Sequence, residues 1–303
     1  MNIINNNKDG ITPTMPPGKA AMIGLFLIFF LFQFGGAVLF LIIFGTDITN
    51  ADINALRLLN VGGQILFILL PAILLAKLVY VDKLTPVFRI RVPKIKEAGM
   101  YVAGLAILMA LLQNFIYVQN FIFQKLADKF SIFQSLKNIA DKLDKIMEST
   151  YTVILNANSA IELLFVILVV AVTPAICEEM FFRGFTQKSL EYSTKPWRAI
   201  LITSIAFALY HFNPYGLFAL VLLASYLGFA AYQSNSIVIP MTLHFINNFV
   251  SVIAYYIWGS DELINTTNVN SEDFLFNLVS MILLSVLFFI FLFFFKKNYY
   301  KFQ

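Results

Sequence analysis

Apolar runs long enough to cross a bilayer recur along the chain, separated by short polar stretches. A transmembrane helix needs about 20 mostly apolar residues. Runs near 20–44, 60–81, 98–118, 160–187, 197–212, 214–231, 237–258 and 274–295 meet or approach that length. The run Ala20 to Phe44 outlasts a signal-peptide core, so it reads as a retained span. Only Asn213 and Pro214 separate the pair at 197–231. In contrast, 120–150 alternates acids and bases. There Leu136, Ile139, Leu143 and Ile146 recur at helical spacing, which predicts an interfacial amphipathic helix. No internal repeat is visible. The pattern predicts an all-α polytopic membrane helix bundle of about eight transmembrane helices. Its parts are an N-terminal tail (1–18), helices one to three (19–120), an extracytoplasmic amphipathic segment (121–158), helices four to seven (159–258), and an external loop, eighth helix and basic tail (259–303).

Composition agrees with a lipid solvent. Hydrophobic residues make up 59% of the 303 and mean hydropathy is +0.79. Charged residues are 13%, about half the share of a soluble domain. The net charge of +4 does not signal nucleic acid, because the cations gather between apolar runs. They act as topology signals. Loop 82–97 carries Lys83, Arg89, Arg91, Lys94 and Lys96, loop 188–198 carries Lys188, Lys195 and Arg198, and the C-terminal tail carries Lys296, Lys297 and Lys301. Eight spans put all three on one side, with both termini cytoplasmic. The opposite side receives Asp261, Glu262, Glu272 and Asp273. A lone cysteine, Cys177, excludes an intrachain disulfide and reads as a small buried residue.

An ionisable group inside a bilayer is costly and marks a functional site by default. Few survive once span ends and loops are set aside. The fourth span carries Cys177-Glu178-Glu179-Met180-Phe181-Phe182-Arg183, the fifth ends Phe207-Ala208-Leu209-Tyr210-His211, and the seventh carries His244-Phe245-Ile246-Asn247-Asn248. Both histidines of the chain are in this set. A helical rise of about 1.5 Å per residue puts Glu178 roughly 15 Å, His211 roughly 20 Å and His244 roughly 12 Å below the cytoplasmic border. Three helices can therefore bring these groups to one level.

Spacing separates the roles. Glu179 and Arg183 stand at i and i+4, share a face, and can pair. Glu178 is turned about 100° away and has no partner in its own helix, which suits a general base. His244 and Asn248 share a face and offer donors to a developing oxyanion. Phe207 lies on the face of His211 and can fix the imidazole by packing. Each element has a plainer reading: a Glu–Arg pair as structural glue, a buried histidine satisfied by the core, a His–Asn pair bridging helices. Their joint occurrence at one depth favours a catalytic site.

At these residues the chain resembles the CAAX prenyl endopeptidase and bacteriocin-processing (CPBP or Abi) family. The motifs Glu-Glu-x-x-x-Arg, Phe-x-x-x-His and His-x-x-x-Asn occur in order at Glu178–Arg183, Phe207–His211 and His244–Asn248. The resemblance covers about 160–250 and implies that 159–258 is the catalytic core of an eight-helix intramembrane endopeptidase. It implies that Glu178 and His211 activate a water and that His244 and Asn248 hold the oxyanion. The family has been described both as metalloproteases and as metal-independent glutamic proteases. The zinc motif His-Glu-x-x-His is absent. A metal-free site is favoured, with a three-ligand zinc site at Glu178, His211 and His244 as the alternative. The implied substrate is a peptide in or at the membrane, prenylated or of bacteriocin type. An Ile-, Asn-, Lys- and Phe-rich composition points to a low-GC bacterium and its plasma membrane. Two other classes compete: a non-proteolytic immunity or scaffold protein, and a transporter using Glu178 as a proton relay. Retention of every motif residue speaks against the first, and the lack of repeat symmetry against the second.

Overall fold

The computed structural model describes residues 11–45, 52–81, 83–259 and 269–301. Among these the chain is helical, with no strand. Helices long and apolar enough to span a membrane are α1 (Pro17–Phe44), α2 (Ile53–Tyr80), α3 (Ile95–Lys129), α5 (Ala160–Glu191), α7 (Leu217–Ser234), α8 (Val238–Trp258) and α9 (Phe274–Lys301). Between them lie α4 (Ser131–Leu155) and the shorter α6 (Pro196–Tyr210). The protein is thus an all-α integral membrane bundle. Residues 1–10 of the expected N-terminal tail, and Asp261 and Glu262 of the expected acidic loop, lie outside the described residues.

Local chemistry sets the helix ends. Pro17 and Pro196 occupy first-turn positions of α1 and α6, where a missing N–H costs nothing. Asp52 caps α2 by accepting from the Ala55 N–H at 2.9 Å, and Ser159 caps α5 by accepting from Glu162 at 3.2 Å. Helix α6 has 15 residues, which is about 22 Å of rise against a hydrocarbon core of about 30 Å. It therefore stops at depth. Phe212 then takes φ 48°, a left-handed value that costs a side-chain-bearing residue about 1 kcal/mol or more, and the chain turns through Asn213-Pro214 into α7. That arrest holds His211 inside the bundle.

Four stretches widen from α to π geometry: Leu31–Gly35, Ile65–Leu69, Leu168–Val172 and Met180–Thr186. Two precede prolines, Pro71 and Pro174, which have no N–H to return to the carbonyl four residues back. The others contain Gln33 and Arg183. Each lies in a span that also lines a cavity of about 360 Å³, and widened turns are frequent at functional sites.

The 120–150 segment differs from expectation in its boundary. Helix α3 runs unbroken to Lys129, the break falls at Phe130, and α4 returns alongside. Its apolar stripe, Ile132, Leu136, Ile139, Leu143 and Ile146, is exposed. The opposite face, with Lys137, Asp141, Asp144 and Glu148, is half-buried against the bundle. Such a helix suits the bilayer interface, with its apolar side in lipid. Arg57 holds its C-terminal end, donating to the carbonyls of Ile154 at 3.0 Å and of Asn156. Tyr215 holds its middle through Asp141.

Two cations of loop 82–97 do more than mark topology. Arg89 is buried and donates to Glu191 at 2.5 Å, to the Arg183 carbonyl at 3.3 Å and to Asn235 at 3.2 Å. Arg91 pairs with the buried Glu97 at 2.6 Å, which also accepts from Tyr299. These contacts clamp the ends of α3, α5, α7 and α9 together.

Candidate active site

The three motifs converge where α5, α6 and α8 meet, but in two separate groups. Glu179 is fully buried and its Oε1 accepts from Arg183 Nη1 at 2.8 Å and from His244 Nδ1 at 2.8 Å. Arg183 also donates to the Ala224 carbonyl at 3.3 Å and lies 4.5 Å from the Phe207 ring centroid. The i,i+4 pair expected from spacing is therefore present, and the histidine of the third motif joins it. Phe207 is the hub: its ring lies 4.5 Å from His211 and 5.8 Å from His244. Removing this phenyl would loosen both imidazoles and the guanidinium together.

Glu178 points the other way, as its 100° offset requires. Its Oε2 is 4.0 Å from His211 Nε2, the side chains being 12% and 25% exposed, and it has no hydrogen-bond partner among the described residues. His211 Nδ1 lies 2.7 Å from the Phe207 carbonyl. A carbonyl only accepts, so Nδ1 carries the hydrogen, and Nε2 is the nitrogen presented to Glu178. A gap of 4.0 Å is too long for a direct hydrogen bond and short enough for one water to touch both groups.

Pro174 explains the position of Asn248. Lacking an N–H, Pro174 leaves the Val170 carbonyl without its α-helical donor, and Asn248 Nδ2 donates to it at 2.9 Å. Asn247 donates to Asn248 Oδ1 at 3.2 Å and sets the orientation of the amide. His244 and Asn248 are thus each half-engaged within the protein. His244 Nε2 and the second amide hydrogen of Asn248 are left for a ligand.

Two cavities meet at this site. One of about 410 Å³ is lined by Asp144, Glu148, Phe207 and Asn247, the other of about 360 Å³ by Gln33, Asn60, Gln64 and Glu178. Tyr151, Val170, His211, His244 and Asn248 line both. Burial, and then the charges of Glu148 and Asp141, raise the Asp144 carboxyl above its ordinary range. Cys177 is buried beside Glu178 in sequence and lines neither cavity.

Among the described residues no three His, Cys, Asp or Glu side chains are grouped so as to hold a metal ion. The alternative zinc set, Glu178, His211 and His244, lines one cavity but does not form such a group.

Residues outside the motifs also line the site. Gln33, Asn60, Gln64 and Tyr151 come from α1, α2 and α4. A search for charged groups within spans passes over them. The signal that could have found the first three was a carboxamide in an otherwise apolar run, as in Phe32-Gln33-Phe34.

No curated protein and no solved structure matches the chain. Residues 160–250, which hold all three motifs, match the family model described as Rce1-like, type II CAAX prenyl endopeptidase, in agreement with the resemblance those motifs carry.

Proposed function

We propose that the protein is an intramembrane endopeptidase that cleaves a peptide bond of a membrane-associated substrate, with Glu178 and His211 activating the water and His244 and Asn248 stabilising the oxyanion. The observation that carries this reading is the Glu178–His211 pair, 4.0 Å apart on a shared cavity. A carboxylate and an imidazole at that separation can hold one water, take its proton and aim its oxygen at a carbonyl. The proton then passes to the leaving amine, which closes the cycle. His244 donates through Nε2–H, because Nδ1 is committed to Glu179. This role requires the imidazolium, which also balances charge: Glu178 and Glu179 are two negatives, Arg183 and His244 two positives. Asn248 supplies its remaining N–H. No step is routed through a metal.

The family description supports a substrate class of peptides already at the membrane, prenylated at the C-terminus or released from a precursor. A bacterial plasma membrane and cytoplasmic termini complete the reading. The test is a comparison of membranes from a wild-type strain and a Glu178→Gln strain for uncut C-termini. Glutamine is nearly isosteric and neutral, so it removes the base and keeps the fold. Loss of cleavage at normal protein abundance supports the proposal. Full activity in the variant overturns the role of Glu178, and immunity or scaffolding that survives it favours a non-proteolytic protein.

A further inference from the structure

Helix α2 carries a polar stripe that the catalytic reading does not use. Arg57, Asn60 and Gln64 recur at i, i+3 and i+7 on one face of a membrane span. Arg57 is held by the end of α4. Asn60 and Gln64, one turn apart, line the 360 Å³ cavity that contains Glu178 and His211. Gln64 is only 5% exposed, and its Oε1 has no hydrogen-bond partner among the described residues. A buried carbonyl oxygen in a membrane span draws its missing donor from whatever enters the cavity, a water or a ligand that displaces it. A third carboxamide, Gln33 of α1, faces the same space and is tethered to the Tyr210 carbonyl at 3.4 Å.

The required ligand is one whose own polar groups lack partners at this depth. A peptide backbone drawn into a bilayer is such a ligand, because its N–H and C=O groups cannot turn to water. The dimensions agree. Successive turns of α2 bring Asn60 and Gln64 about 6 Å apart along the axis. Same-side groups of an extended peptide repeat every two residues, about 6.6 Å. Carboxamides both donate and accept, as peptide groups do, and they carry no charge that would select a particular side chain.

We propose that Asn60 and Gln64 form the main-chain subsite of the active-site cavity, binding the substrate in extended form beside Glu178, with Gln64 Oε1 accepting a substrate N–H. The subsite rests on the proteolytic reading above, and it lies outside the 160–250 segment that the family model matches. It predicts that backbone hydrogen bonding from the N-terminal half of the chain contributes to substrate affinity, while side-chain selection is left to other walls of the cavity.

The experiment is a kinetic cycle on the full chain in lipid nanodiscs. The probes are a fluorogenic peptide ending in prenylated Cys-aliphatic-aliphatic-X, its unprenylated counterpart, and a set of each in which one backbone nitrogen at a time is methylated. Gln64→Met keeps size and removes the acceptor. It should raise KM about 5- to 10-fold while kcat stays within about 2-fold, as expected for one neutral hydrogen bond made equally in ground and transition states. One N-methyl peptide should lose a similar factor with the wild type and lose nothing further with Gln64→Met. If every N-methyl peptide loses the same factor with both proteins, or if Gln64→Met lowers kcat at unchanged KM, the subsite is overturned. Should Gln64→Met fail to accumulate, Asn60→Leu is read through the same cycle. Hydrolysis that vanishes in Glu178→Gln shows the proteolytic reading intact whatever Gln64 does. No hydrolysis of any probe by the wild type overturns that reading and the subsite together.

Discussion

Replacing Arg183 by methionine removes a guanidinium that is 0% exposed, and the consequences follow from what it touches. It donates to Glu179 at 2.8 Å and to the Ala224 carbonyl at 3.3 Å, and it lies over Phe207. Methionine fills much of the volume but leaves Glu179 buried with His244 as its remaining partner. Breaking a buried pair from one side typically costs about 3–5 kcal/mol, and the lower end applies here because His244 still faces the Glu179 carboxylate. That is roughly a 10²- to 5 × 10³-fold loss in the folding equilibrium. Removing both charges, in Arg183→Met with Glu179→Gln, takes away the under-compensated carboxylate while the amide oxygen still accepts from His244, and should recover more than about 1 kcal/mol of that loss. Reversible unfolding in mixed micelles, with denaturing detergent as the variable, measures both. If Arg183→Met stays within about 1 kcal/mol of the wild type, or if the double variant costs the sum of the singles, the pair does not carry the energy assigned to it. Glu178→Gln in the same assay should unfold with the wild type, since Glu178 has no charged partner closer than His211 at 4.0 Å.

Three further outcomes test other parts of the reading. His211→Ala should abolish turnover because water activation fails, whereas His244→Ala should leave measurable cleavage, since losing one oxyanion donor costs about 10²–10³-fold; zinc analysis of the purified protein accompanies both, and stoichiometric zinc that disappears in either variant would replace the metal-free mechanism. Cys177→Ala should retain activity, because the residue is 2% exposed and lines neither cavity, and loss of activity at normal protein levels would point to a thiol mechanism instead. Reporter fusions placed after residue 303 and within 259–273 should report opposite sides of the membrane, and the same side for both would sink the eight-span topology.

Much of the site was legible because helical periodicity is a local rule. Glu179 and Arg183 at i and i+4 had to share a face, and they pair. Glu178 had to point elsewhere, and it meets His211. Periodicity does not say which face of one helix meets which face of another. The same spacing that put His244 and Asn248 side by side could not show that His244 would give Nδ1 to Glu179, or that Asn248 would be tied to Val170. Pro174 was visible, and so was the carbonyl it must free, but not the amide that would find it. The length of α3 escaped for a different reason. Residues 119–129 turn polar where the helix leaves the apolar layer, and a hydropathy criterion ends a span there although the hydrogen-bond ladder continues to Lys129.

The adjacency of the two glutamates has a physical rationale. Consecutive helical residues diverge by about 100°, so two neighbouring carboxylates cannot serve the same surface. One must face the protein if the other faces the cavity. Glu179 takes the inner side and is satisfied by Arg183 and His244, which makes it a fixed point joining α5 to α8. Glu178 takes the cavity side and is left with a gap to His211 that a water can fill. Arg183, one turn beyond Glu179, lies on the inner side as well, so its charge neutralises the buried carboxylate without binding the cavity-facing one directly. Widening of the helix into a π-turn at Met180–Thr186 begins immediately after this pair, and it changes the register of everything beyond without altering the angle between the two glutamates. A single polar dipeptide thereby anchors the bundle on one side and presents an unpaired carboxylate oxygen to the cavity on the other.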